Sequence, residues 1–158
     1  MMVDQLERLG RGFFWQDLQV GARYLTYGRT ITEADIGQFV GLVGMIEILF
    51  TNAEYRRTEA AIAGDPAPGA LTFSIAEGLA LNATGQETGL AFLGLQSLDV
   101  NGPVLAGDTI EVEIEVTEVR PESKGTRGLV RTRNLVRNQR GETVMTYEPL
   151  RLMMGRPT

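Results

Sequence analysis

The stretch from residue 70 to about residue 83 constrains the fold of this chain more than any other part. Leu71, Phe73, Ile75, Ala76, Leu79 and Ala80 would occupy more than half the circumference of a helix there. A helix apolar on most sides cannot lie on a surface and must be covered by other elements. The cluster Gly64-Asp65-Pro66-Ala67-Pro68-Gly69 breaks regular structure just before it and sets where the helix begins. The covering elements lie downstream. Four runs with strand character, 90–100, 109–119, 126–138 and 143–154, are separated by Asn101-Gly102-Pro103, Pro121-Glu122-Ser123-Lys124-Gly125 and Gln139-Arg140-Gly141. Links this short join antiparallel strands, so the four runs read as successive neighbours. Strands in one contiguous run and helices gathered before them predict an α+β fold: one antiparallel sheet wrapped on one long central helix. With 158 residues the chain reads as a single domain over 1–158, its core spanning about 14–156.

The upstream part carries clear local signals. Residues 12–20 are aromatic and turn-like, and 23–31 read as a strand through Tyr24, Leu25 and Tyr27. Thr32 followed by Asp35 forms a capping-box pattern, and Ile36, Phe39, Val40 and Val43 then give an amphipathic stripe that Gly44 ends. Asn52 is placed to cap a short charged helix reaching about residue 61.

Two absences bound the chemistry. The chain contains no His and no Cys. Disulfides, thiolate nucleophiles, imidazole bases and Cys- or His-ligated metals are therefore excluded. Carboxylates, hydroxyls, amides, cationic side chains and the backbone remain, and no metal site is expected. The net charge of −5 argues against nucleic acid as a partner. No run of about 20 apolar residues predicts a membrane span, and the charged first residues lack the apolar core of a secretory signal. A cytoplasmic location is the expectation.

One charge pattern permits two readings. Glu111, Glu113 and Glu115 share a face of their strand, and Arg127, Arg131, Arg133 and Arg137 share a face of the next. A hairpin near Ser123 would set the two rows side by side. The arginines then form either a solvated ion-pair face or, with Lys124, a patch for the phosphates of a nucleotide-bearing substrate.

The segments GRTITEADIGQFVGLVG, APGALTFSIAEGL, GPVLAGDTIEVEIEVTEVRPESKG and RTRNLVRNQRGETVMTY, in that order, resemble the MaoC-like (R)-specific enoyl-CoA hydratase/dehydratase family. The last two look most like its mesaconyl-CoA hydratase branch. The resemblance implies the hotdog fold, a homodimer or higher homo-oligomer, and reversible addition of water to an enoyl thioester. It implies no cofactor beyond coenzyme A, which enters as part of the acyl-CoA substrate. The family carries its Asp and His in G-D-x-N-P-x-H after the first long helix. The matching segment here is Gly44-Met45-Ile46-Glu47-Ile48-Leu49-Phe50. Met45 replaces the Asp, Phe50 replaces the His, and Glu47 stands where the family has Asn.

Several residues become candidates. Glu47 is a lone carboxylate in an apolar run; burial would raise its pKa and suit it to proton transfer, while capping or solvent exposure would make it structural. Glu77 is the alternative catalytic carboxylate, for thioester hydrolysis, or else a buried acid satisfied by an amide or by an Arg across a dimer. Ser74 lies three residues before it on the same polar arc. The leading amides of the long helix at Gly69, Ala70 and Leu71 can hold a thioester carbonyl oxygen. Met45 and Phe50, with Phe73 and Phe92, are candidates to line an acyl tunnel or simply to fill the core. Three functions stay open: a hydratase/dehydratase, a non-catalytic acyl-thioester-binding or structural subunit, and a thioesterase using Glu77 or Glu47.

Overall fold

The computed structural model describes Leu6 and residues 8–157. A single 3-10 turn, Trp15–Asp17, precedes two short strands, β1 (Arg23–Leu25) and β2 (Arg29–Thr30). Helices α1 (Glu33–Val43), α2 (Ile48–Thr51), α3 (Ala53–Thr58) and α4 (Gly69–Thr84) follow. Strands β3 (Gly89–Val100), β4 (Thr109–Pro121), β5 (Arg127–Asn138) and β6 (Thr143–Met154) complete the chain. All six strands form one antiparallel sheet in the order β1-β4-β5-β6-β3, with β2 also on β4. The sheet wraps on α4, which is the α+β hotdog arrangement.

Local signals place the helices. Thr32 Oγ1 accepts from the Asp35 amide at 3.1 Å, and the Asp35 carboxylate accepts from the Thr32 amide at 2.8 Å, closing the capping box of α1. These bonds hold the Asp35 carboxyl below its ordinary pKa, the Thr32 amide contributing most. Gly44 ends α1 with φ of 70°, a left-handed conformation that favours glycine. Asn52 Oδ1 caps α3 through the Tyr55 amide.

The core is what the apolar helix demanded. Leu71, Ile75, Ala76 and Ala80 of α4 pack on Ile110, Val112 and Ile114 of β4, on Val136, and on Val144, Met145 and Tyr147 of β6. Ile31, Ile36 and Val40 seal one side. A second cluster of Leu18, Val116, Val130 and Met153 closes the other end under Phe13 and Trp15. Gly128 is required there, since a Cβ would fall 2.3 Å from Trp15 Cγ.

Two expectations about strands are corrected. The strand read over 23–31 is broken into β1 and β2. Between them the Thr26 side chain replaces a backbone acceptor, taking the Val112 amide on Oγ1 at 3.0 Å. Strand β3 does not neighbour β4; it pairs with β6 at the opposite edge. The link after β3 crosses past the start of α4 instead of turning back, held by the Ala67 amide on Val104 O and the Ala106 amide on Asp65 O.

The charge rows meet as expected, with Glu111 opposite Arg137 and Glu115 opposite Arg133. Arg137 pairs with Glu113 at 2.7 Å, Arg133 with Glu148 at 2.9 Å, Arg131 with Glu118 at 3.4 Å and Arg127 with Glu122 at 3.1 Å. Every arginine of the row is already matched by an acid, which is the solvated ion-pair reading.

Candidate functional site

The start of α4 forms one wall of a cleft of 240 Å³. Pro68 before the helix, Gly69 and Thr72 of the helix, Leu49 and Phe50 of α2, and Val144 and Met145 of β6 line it, with the link after β3 completing the rim. Pro68 stands in the cap position and its side chain makes no capping bond. The amides of Leu71 and Thr72 both donate to Pro68 O, at 3.0 and 3.1 Å. Among the described residues, the Gly69 and Ala70 amides have no acceptor. Two free N–H groups therefore stand at the positive end of a 16-residue helix, Gly69 on the cleft lining and Ala70 next to it in sequence. A Cβ at Gly69 would meet only Val100 Cγ2, at 3.6 Å, so glycine is not demanded by packing in the free protein.

The predicted residues divide. Phe50 and Gly69 line the cleft. Leu71 is a core residue beneath the helix, 6% exposed, and its amide is bonded, so it is removed from the binding set. Ala70 is exposed beside the cleft. Ser74 is exposed, and its hydroxyl donates to Ala70 O at 2.8 Å, as polar side chains in helices do when no ligand claims them. Met45 is 37% exposed and outside the lining. Phe73 packs edge-on against Tyr147 with centroids 5.1 Å apart, and Phe92 is half exposed on β3. The four candidate tunnel residues are thus dispersed.

The two carboxylates differ from expectation in opposite ways. Glu47 is exposed, at the cap position of α2, and its side chain makes no capping bond. The burial expected of Glu47 does not hold within the chain, because the apolar run turns its Met45, Ile46 and Glu47 outward together. Glu77 faces inward and both its oxygens accept from Arg151 of the same chain. The partner expected across a dimer is supplied from within.

Around this pair lies a group that strand periodicity did not single out. The core face of β5 and β6 carries Thr132, Asn134, Tyr147 and Arg151, with Asn134 opposite Tyr147. Burial pushes the Tyr147 phenol well above its ordinary pKa, and the neighbouring Glu77 charge adds to this. The signal was present: alternate residues of β5 opposite the arginine row read Val130, Thr132, Asn134, Val136, two polar residues on a face meant for the core.

The geometry is thus an apolar cleft at the head of the central helix of a hotdog sheet. Residues 18–147 match the family model described as FAS1-like, dehydratase domain region, and the chain belongs to that family. A solved structure of a monoamine oxidase regulatory protein from Archaeoglobus fulgidus is 30% identical, with a TM-score of 0.81 over 93% of this chain and 97% of that one. A MaoC-like dehydratase from Rhodospirillum rubrum is 26% identical, with a TM-score of 0.79 over 93% and 100%. A Mycobacterium tuberculosis protein with a double hotdog fold shares the fold at 20% identity, TM-score 0.83, over 96% of this chain and 46% of that one. No curated protein matches the sequence.

Proposed function

We propose that the chain is the acyl-thioester-binding subunit of a hydratase/dehydratase assembly, with the proton-transfer groups supplied by a second hotdog chain. One observation carries this reading. The cleft offers two free helix amides for a thioester carbonyl, but no residue lining it titrates. Adding or removing water requires a base and an acid within hydrogen-bond reach of the reacting carbon's water. Glu47 points to solvent and Glu77 is consumed by Arg151. The first reading, a self-sufficient hydratase working through Glu47, and the thioesterase through Glu77 or Glu47 both lack a positioned proton handler among the described residues. The ligand is an acyl-CoA or another acyl thioester; the amides bind the carbonyl whichever thiol carries it.

The acyl group enters between Phe50 and Met145, and its carbonyl oxygen meets the Gly69 and Ala70 amides, where the helix dipole favours negative charge. Those amides would stabilise an enolate formed by a base from outside the chain.

The test is incubation of the purified chain with crotonyl-CoA, following the conjugated thioester by absorbance with a thiol reagent present and binding by calorimetry. Saturable binding without turnover is the expected result. Loss of absorbance without free thiol would mean the chain hydrates alone, and released thiol would mean hydrolysis. Gly69→Val, whose added methyls project where the carbonyl would sit, should weaken binding about tenfold while leaving the melting temperature within about 2 °C.

A further inference from the structure

We propose that the core beneath the second half of α4 is a built water site, in which Thr132 and Asn134 bind one water molecule. Asn134 is fully buried and Thr132 is 9% exposed. Thr132 Oγ1, Asn134 Nδ2 and Asn134 Oδ1 have no hydrogen-bond partner among the described residues. Their two side chains border a small, largely enclosed space of 20 Å³, left where the short side chain of Ala80 faces the sheet, with Ile114, Val130 and Met153 as apolar walls and Thr84 and Arg151 also on the lining.

Size and polarity select the occupant. Room of about 10–15 Å³ for a water centre is enough for one molecule, and a buried water needs two to four polar partners. The space here meets the first condition and is too small for an acyl tail or a free anion. It meets the second because Asn134 offers a donor and an acceptor and Thr132 a hydroxyl that serves as either. An apolar cavity of the same size would stay dry, but three polar atoms on one wall would each keep a full desolvation cost if nothing reached them. A further unpartnered polar atom, Tyr147 Oη, stands next to Asn134. Tyr147 Oη lies beside Asn134 and the Glu77 carboxylate, so a polar run leads from the water through Asn134 and Tyr147 to Glu77 and Arg151. The proposal is independent of thioester binding, since Ala80 lies eleven residues along α4 from Gly69 at the cleft.

A crystal structure of the unmodified protein, at a resolution that orders internal waters, tests it directly. Density within about 3.2 Å of Thr132 Oγ1 and of the Asn134 amide is expected; an empty cavity overturns the proposal. Stability gives a second readout of opposite sign. If the water is bound, Thr132→Val deletes one of its partners at constant shape and should raise the unfolding equilibrium constant about tenfold. If the site is dry, the same change removes an unpartnered hydroxyl, and unchanged or increased stability would show that no water is held.

Discussion

Arg151 is a buried charged residue held on the core face of β6. Its guanidinium donates to both oxygens of Glu77, its side chain is 10% exposed, and it stands 5.9 Å from the Phe92 ring centroid. Removing one partner of a buried ion pair leaves the other charge unmatched, which outweighs the pair's own modest net value. Arg151→Met should therefore destabilise the protein by about 3 kcal/mol, read as a lower midpoint at unchanged slope in urea. Glu77→Gln keeps the shape and one acceptor and should cost less. Glu47 represents the opposite case. With no side-chain bond and open to solvent, it contributes nothing to packing or to the cleft. Glu47→Gln should leave crotonyl-CoA affinity within about twofold of the parent, and a larger loss by calorimetry would return Glu47 to the site.

Among the elements, α1 shows how far local chemistry carries stability. Thr32→Ala deletes one half of the capping box and should cost about 1 kcal/mol near neutral pH, by chemical denaturation. The pH dependence follows in sign from Asp35. Its carboxyl titrates lower in the folded protein than in the unfolded chain, because the Thr32 amide and hydroxyl donate to it. That stabilisation is complete above the ordinary carboxylate range and is lost as the pH falls through the lowered value. The gap between Thr32→Ala and the parent should narrow over the same interval. Such caps were legible in the sequence because both partners lie within three residues, as with Asn52 and Tyr55. The long helix was legible because its apolar circumference leaves no other placement. The position of β3 was not, since nothing in residues 90–100 distinguishes β4 from β6 as a partner; the choice is made by the crossing of residues 101–108 past Ala67. The environment of Glu47 was also illegible. An apolar run predicts burial only if its neighbours turn inward, and here Met45 and Ile46 turn out with it. Thr132 and Asn134 stood in the period-2 pattern, but the arginine row on the other face of β5 drew the reading outward.

For the whole molecule, the unfinished feature is the β3 edge. Twelve residues long, it carries exposed Leu90, Phe92, Leu93, Leu95, Leu98 and Val100, and its free edge presents unpaired backbone groups. Edges of this length are normally shortened, charged or covered, and Asp99 is the only charged residue on this one. A large exposed apolar surface on a sheet edge marks an association site. A second hotdog unit is the occupant that fits, since a like edge can extend the ladder and bury both apolar rows at once. Three register shifts along β3, including one beside Gly94, bend the strand and limit open-ended stacking, so a closed pair is expected rather than a filament. Leu95→Lys places a charge in the middle of that surface without touching the core or the cleft lining. Sedimentation at micromolar concentration should show the parent chain as a dimer and the variant as a monomer. Val20→Lys, at an even more exposed apolar position away from β3, should leave the dimer intact. If both variants sediment like the parent, β3 is not the contact between copies of this chain.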